Sequence, residues 1–301
     1  EGVNREPKGP EAIATAVPGG EVRYKAVTAS ELKPKARVAL AVHGFGSETS
    51  AMAAWLTSIW PQHGAAYDHV LAYDYESFNT AIRDNGHTLA NALHDLGFSE
   101  QDSYTLDIFA HSMGTLVTRS LVEIWGGDTF VDRCFLAGPP NQGTRLADVK
   151  RFVPWLSTLL LNQGGFLAPT LLAGWVLNKA SNDAVGPEDL RSDSKIVQEL
   201  NTATKVAKVP YFILAGDNQF TPEAKSAWDR LRQKVMQNVD VGLDLIFGDQ
   251  NDKVIGVKSM LGLRNGRYPA NLLKTKEVTC DHFSYFADDA SQQQLIEWVK
   301  G

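Results

Sequence analysis

Between Tyr104 and Trp125 the chain changes from one kind of structure to another with almost no connector. Tyr104-Thr-Leu-Asp-Ile-Phe109 is a strand-like run, and Thr115-Leu-Val-Thr-Arg-Ser-Leu-Val-Glu-Ile-Trp125 is a helix-like one. Only Ala110-His-Ser-Met-Gly114 separates them. A strand that turns at once into a helix lays that helix back across its own sheet, the arrangement of parallel α/β structure. The turn also carries a serine. A hydroxyl lifted onto a tight strand-to-helix turn is open to a base and to a substrate, and small flanking residues let the backbones come close. The pattern is Gly-x-Ser-x-Gly with Ala110 in place of the first glycine, so it tests whether that position needs positive φ. The bland alternative is a serine capping a helix; the place after a strand and before a helix favours a nucleophile.

The rest of the chain repeats the alternation. Strands are expected at Glu21 to Thr28, Arg37 to Val42, His69 to Tyr75, Val131 to Ala137 and Val209 to Gly216, with later strand or edge pieces at Val254 to Val257 and Glu277 to Cys280. Helices are expected at Ser47 to Trp60, Ala81 to Leu96 (stopped by Gly97), Glu223 to Asn238 and Gln292 to Lys300, and the polar stretch Pro187 to Asn201 turns helical at its end. Alternating strands and helices imply a mostly parallel sheet with helices on both faces, and ligands in such sheets sit beyond the carboxyl ends of the strands. His43, Ser112 and the turn at Pro139 then share one edge. The alternation breaks near Leu146. Phe152 to Asn178 is apolar on most sides and reads as two short helices, a lid or cap inserted at about 146–186; core helices are the plain alternative. The first twenty residues, rich in proline and glycine, read as a tail or linker, and 21–301 as one domain.

Composition narrows the function. A chain of 301 residues with net charge −6 shows no basic stripe, which argues against nucleic acid. Two cysteines, Cys134 and Cys280, make no disulfide framework; Cys134 reads as a buried strand residue and Cys280 as a small residue near the site. No breaker-free apolar run reaches about 18 residues, so no transmembrane helix is expected. The chain starts at Glu1 with no apolar leader core, as expected of a processed chain or an excised piece.

A nucleophilic serine needs a base, an acid and oxyanion donors. Of seven histidines only His282 lies beyond residue 111. It follows a strand-like run and precedes the last helix, where a loop histidine can reach Ser112. His43 is expected to bond neighbouring loop backbone, and His111 to point away from the serine oxygen. His87 and His94, seven apart on a helix, lack a third ligand and read as surface rather than metal-binding. Two carboxylates compete to orient His282: Asp217, directly after the strongest late strand, and Asp252, in a polar turn. Each has the alternative of a turn-stabilising aspartate, and Asp281 ranks below both because adjacent side chains diverge. The glycines of His43-Gly-Phe-Gly46 let backbone approach a substrate, so the Phe45 and Met113 N–H groups are the expected oxyanion pair.

With these residues assembled, the chain resembles the α/β-hydrolase superfamily, in particular bacterial lipase- and esterase-like members. The resemblance covers roughly residues 37 to 300. It rests on His43-Gly-Phe-Gly46, Ala110-His-Ser-Met-Gly114, Gly138-Pro-Pro-Asn-Gln-Gly-Thr144, Ser194 to Asn201, Asn251-Asp252 with Val254 and Ser259, and Asp281-His-Phe-Ser-Tyr-Phe286. Some bacterial lipases also carry alanine at the first elbow position. Lipase-like relatives commonly place the acid in an Asp-x-x-Val-x-x-x-Ser-like stretch, which implies Asp252 rather than Asp217, although Lys253 replaces the more usual small residue. The resemblance implies an α/β-hydrolase fold with a helical lid. It implies a cofactor-free serine hydrolase of carboxylic esters, with Ser112 as nucleophile, His282 as base and Asp252 as acid. Trp155, Leu159, Leu160, Trp175 and Leu177 would line an acyl pocket, and an apolar lid implies transient contact with a lipid surface. A thioesterase, amidase or acyltransferase on the same scaffold is the nearest rival. A catalytically silent binding module is the rival from another class.

Overall fold

A computed structural model describes residues 13–17, 22–63, 67–99, 104–144, 185–202, 208–217, 252, 254–264 and 268–301. Among them is an eight-stranded sheet of order β2-β1-β4-β3-β5-β6-β7-β8. The strands are β1 (Ile13–Val17), β2 (Arg23–Ala26), β3 (Arg37–Val42), β4 (His69–Tyr73), β5 (Thr105–His111), β6 (Arg133–Ala137), β7 (Tyr211–Gly216) and β8 (Leu273–Val278). β1 pairs antiparallel with β2 and β4, and every other neighbouring pair is parallel. The helices are α1 (Ser50–His63), α2 (Ile82–Asp95), α3 (Met113–Glu123), α4 (Val185–Asp189), α5 (Lys195–Thr202), α6 (Val257–Met260) and α7 (Asp289–Lys300).

Side-chain alternation along the strands divides the core in two. Val38, Leu40 and Val42 of β3, with Leu106, Ile108 and Ala110 of β5, join a cluster that includes Leu89 and Leu93 of α2, Val117 and Leu121 of α3, and Leu200 of α5. Ala39, Ala41 and Phe109 face the opposite cluster, with Met52, Ala53 and Leu56 of α1 and Leu295, Ile296 and Val299 of α7. The central strands are buried on both faces, and this is why they read as largely apolar runs rather than alternating ones.

The expected strands and helices are found with boundary shifts of a few residues, and two expectations are corrected. Residues 1–20 are not wholly a tail, because Ile13–Val17 is a strand between β2 and β4. The flanking prolines and glycines hide this short run of Ile, Thr and Val, residues that favour extended backbone. Val254 to Val257 is not a strand: it bends and enters α6. The Asp252 carboxylate accepts the N–H groups of Val254 and Ile255, which turns the backbone. The helix expected at Glu223 to Asn238 lies outside the described residues. So does the insertion expected at 146–186, except for its last two positions, which begin α4.

Candidate active site

The parallel register brings the carboxyl ends of four strands to one edge. Val42 pairs with Ala110, His111 with Ala137, Ala137 with Leu214, and Gly216 with Val278. The residues that follow β3, β5, β6 and β7 are therefore His43, Ser112, Gly138 and Asp217, side by side.

Ser112 sits between β5 and α3 with φ 50° and ψ −124°. Its N–H donates to the Ala137 carbonyl at 3.0 Å, which ties the turn to the neighbouring strand. The Thr115 N–H and hydroxyl donate to the Ser112 carbonyl at 3.0 and 2.6 Å. Gly114 lets α3 start against β3, since a β-carbon there would overlap the carbonyl oxygens of His43 and Val42. Ala110 is an ordinary buried strand residue without positive φ, so alanine fits where the motif has glycine.

His282 and Asp252 complete a chain of contacts. The His282 Nε2 lies 2.8 Å from the Ser112 Oγ, and the His282 Nδ1 lies 2.7 Å from the Asp252 Oδ2. Asp252 is fully buried and His282 nearly so. Each carboxylate oxygen has two donors. Oδ1 accepts the Val254 and Ile255 N–H groups at 3.1 and 2.8 Å. Oδ2 accepts from His282 Nδ1 and from the Tyr285 hydroxyl, the latter at 2.8 Å. With the carboxylate as acceptor at Nδ1, the Nε2 is left to accept the serine proton. The His282 N–H also donates to the Asp252 carbonyl at 2.9 Å. Asp217 stands at the end of β7, where its N–H donates to the Val278 carbonyl at 2.8 Å; of the two candidate acids, Asp252 is the one that meets the imidazole. Asp281 serves its own turn, accepting the Phe283 N–H at 3.0 Å.

The other two histidines brace the site. His43 Nε2 accepts the Tyr75 N–H at 3.0 Å, so its Nδ1–H donates to the Gly44 carbonyl at 2.7 Å. The Tyr75 ring stacks on it with centroids 4.2 Å apart, and the Tyr75 hydroxyl donates to the His43 carbonyl. Burial pushes the His43 imidazole below its ordinary value of 6.5, against the pull of Asp74. The His111 Nε2 donates to the His282 carbonyl at 2.7 Å, which holds the loop that carries His282. Burial, with His282 beside it, lowers the His111 imidazole to about 3.

Phe45 lies in the loop after β3, its ring edge-on to Phe78 at 4.7 Å, and the Gly46 N–H donates to the Ser77 hydroxyl. Gly44 has no room for a side chain: a β-carbon would lie 2.9 Å from the Ser112 Cβ. Met113 is the first residue of α3, where a helix leaves N–H groups without intrahelical partners. The acyl-pocket residues expected from the sequence, Trp155, Leu159, Leu160, Trp175 and Leu177, lie outside the described residues. Cys134 and Cys280 are both buried and unbridged. His87 stacks on Trp125, and the His94 Nδ1 lies 2.9 Å from the Phe98 carbonyl oxygen. No described helix is long and apolar enough to cross a membrane.

Two contributors were not singled out from sequence. Tyr285 lies within the motif that carries His282, three residues on, a spacing that lets both side chains of one tight turn reach the same carboxylate. Asn141, in the turn after β6, donates to the Met260 carbonyl at 2.6 Å and accepts from Arg119 at 3.2 Å. It links the segment that follows Asp252 to the helix that follows Ser112.

A family model described as a domain of unknown function, DUF7379, matches residues 18–300. No curated protein matches the chain by sequence. Among solved structures, the mature lipase BlEst2 of Bacillus licheniformis is similar with a TM-score of 0.59 at 17% identity, covering 95% of this chain and 97% of that one. Lipase 1 of Pelosinus fermentans gives 0.57 at 16% identity, over 89% and 98% of the two chains. EstA of Clostridium botulinum gives 0.56 at 13% identity, over 89% and 87%. What the chain has in common with them is the α/β-hydrolase fold.

Proposed function

The chain belongs to the DUF7379 family, and we propose that it is a serine hydrolase that cleaves carboxylic esters through an acyl-enzyme. The observation that carries the reading is the unbroken line from the Ser112 Oγ through His282 to Asp252, with links of 2.8 and 2.7 Å. A serine at positive φ is sterically unfavourable and clusters at sites where geometry is part of the chemistry. The names of two of the similar structures, both lipases, favour esters over amides and thioesters as the substrate class.

In this reading His282 Nε2 takes the Ser112 proton as Oγ attacks the ester carbonyl. The tetrahedral oxyanion is held by the Phe45 and Met113 N–H groups, with the positive end of the α3 dipole behind Met113. His282 returns the proton to the departing alcohol, leaving an acyl group on Ser112. Water then enters, gives its proton to His282 and releases the acid, and Ser112 regains its proton. Asp252 holds the imidazole in the tautomer that keeps Nε2 free and stabilises the imidazolium between the steps. The residues so used need no cofactor.

Hydrolysis of p-nitrophenyl esters tests the reading. Ser112→Ala is expected to keep the fold and lose turnover, and a fluorophosphonate probe is expected to label the parent at Ser112 and not the variant. Turnover retained in Ser112→Ala would sink the assignment. A parent chain left unlabelled would point to a silent binding module.

A further inference from the structure

The Asp252 carboxylate has a second side-chain partner whose role the reaction above leaves unused. Tyr285 is buried, with 1% of its surface exposed. Its hydroxyl accepts the Gly216 N–H at 2.7 Å and lies 2.8 Å from the Asp252 Oδ2. A phenol has one proton, and the incoming N–H occupies the oxygen as acceptor, so that proton goes to the carboxylate. The weaker alternative is the Met260 sulfur at 3.5 Å. The space is reserved by two strand-end glycines: a β-carbon at Gly216 would stand 2.7 Å from the hydroxyl, and one at Gly138, where φ is +59°, would stand 2.8 Å from the ring.

We propose that Tyr285 is a positioning residue that acts through Asp252. Its hydroxyl, pinned by the Gly216 N–H, fixes the carboxylate so that Oδ2 faces His282 and shares the charge of that oxygen between phenol and imidazole. The inference rests on the Ser112, His282 and Asp252 reading. The two Oδ1 donors come from the acid's own turn, and the two Oδ2 donors from the turn that carries the base. Tyr285 therefore joins the acid loop, the histidine loop and the end of β7 at one oxygen. Burial and the neighbouring Asp252 push ionisation of the phenol far above its ordinary value, so it remains a donor across the working range. Besides Asp252, the groups beside the phenol and the imidazole are Cys280 after β8 and His111 at the end of β5, with His43 after β3 next to His111. Burial raises the Cys280 thiol to about 12 and lowers both histidines, which keeps all three neutral near pH 7.

Removing the hydroxyl leaves Oδ2 with His282 as its side-chain donor, so imidazolium is better stabilised and the carboxylate less well fixed. The test is an NMR titration of the His282 ring in the parent and in Tyr285→Phe, beside kcat and KM on a p-nitrophenyl ester. The expected result is an upward move of the His282 midpoint by roughly half a pH unit or more. With it should come a kcat roughly ten-fold lower at little-changed KM, the scale of one lost hydrogen bond to a charged group. Site-specific 3-fluorotyrosine at position 285 keeps ring and hydroxyl but makes a stronger donor, so it should move the midpoint downward. That protein decides the matter if Tyr285→Phe does not fold. An unmoved His282 midpoint in the folded variant, or in the fluorotyrosine protein, overturns the proposal even if activity falls. The titration needs no turnover, so a parent chain inactive on every ester would sink the hydrolase reading, while an unmoved His282 midpoint in an active parent's variant would sink this one alone.

Discussion

Ser112 and Lys35 are the two non-glycine residues with positive φ among those described, and only Ser112 stands at a strand-to-helix turn. Such backbone costs about 1–3 kcal/mol and persists where the surroundings over-determine it. Here they do: the Ala137 carbonyl holds one side of the turn and Thr115 the other. The acid is the sharpest test at this scale. Asp252→Asn should lower kcat by about four orders of magnitude, as loss of the correct histidine tautomer does elsewhere. Asp217→Asn should stay within a few-fold of the parent. Ester kinetics on the two purified variants separates them, and equal losses would count against Asp252 as the partner. A second test is acid stability. His111 is lowered to about 3 and His43 is lowered too, both chiefly by burial, while unfolded histidine titrates near 6.5. Between those values the unfolded chain binds more protons. The stabilisation is present in full above about 6.5 and is lost as pH falls toward about 3. The urea midpoint should therefore fall from pH 7 to pH 4. His111→Gln, which keeps a donor for the His282 carbonyl, should show a flatter fall; an equal slope would contradict the assignment.

The strand-to-helix elbow works at the scale of elements because α3 begins in contact with the strand beside its own. The carbonyls of Val42 and His43 leave no room for a side chain at Gly114. Gly114→Ala should cost about 1–3 kcal/mol by overpacking and should weaken fluorophosphonate labelling, because α3 must retreat and take the Met113 N–H with it. Thermal unfolding together with probe labelling reads both effects. Strands β3 and β5 were legible in sequence because strands buried on both faces need largely apolar runs, and in β5 the one buried charge, Asp107, is paired with Arg133. Val254 to Val257 misled for the same reason: three apolar residues around a glycine look alike whether they enter a sheet or a helix, and the Asp252 carboxylate decided between them. β1 was missed because its five residues are too few to stand out between prolines and glycines. Its place is set by pairing with β2 and β4, strands that lie far from one another in sequence.

Across the whole molecule, one buried network ties the two halves of the site together. Arg119 and Glu123 of α3 form a paired contact at 2.6 Å with almost no exposure. Arg119 also donates to Asn141 and to the Leu200 carbonyl, and Tyr211 of β7 donates to Glu123. Asn141 in turn holds Met260 of α6, and Asn201 holds Asn141. Arg119→Met alone should cost about 3–5 kcal/mol, because the buried Glu123 carboxylate loses the guanidinium that balances its charge, whereas Arg119→Met with Glu123→Leu should cost much less. Chemical denaturation of the single and double variants measures the difference. Nothing in the spacing of Arg119, Asn141 and Met260 announces this network, since its members meet only once β6, β7 and the helices are stacked. The sequence by itself determined the alternation of strands and helices, the edge on which Ser112 lies and the choice of His282, since these follow from local periodicity, small residues at a turn and order along the chain. The tertiary structure alone decided how closely the Asp252 carboxylate, to which the resemblance already pointed, meets His282, and that Tyr285 shares the same carboxylate oxygen. Both are questions of where loops distant in sequence bring single atoms within hydrogen-bonding distance, and a motif does not set those distances.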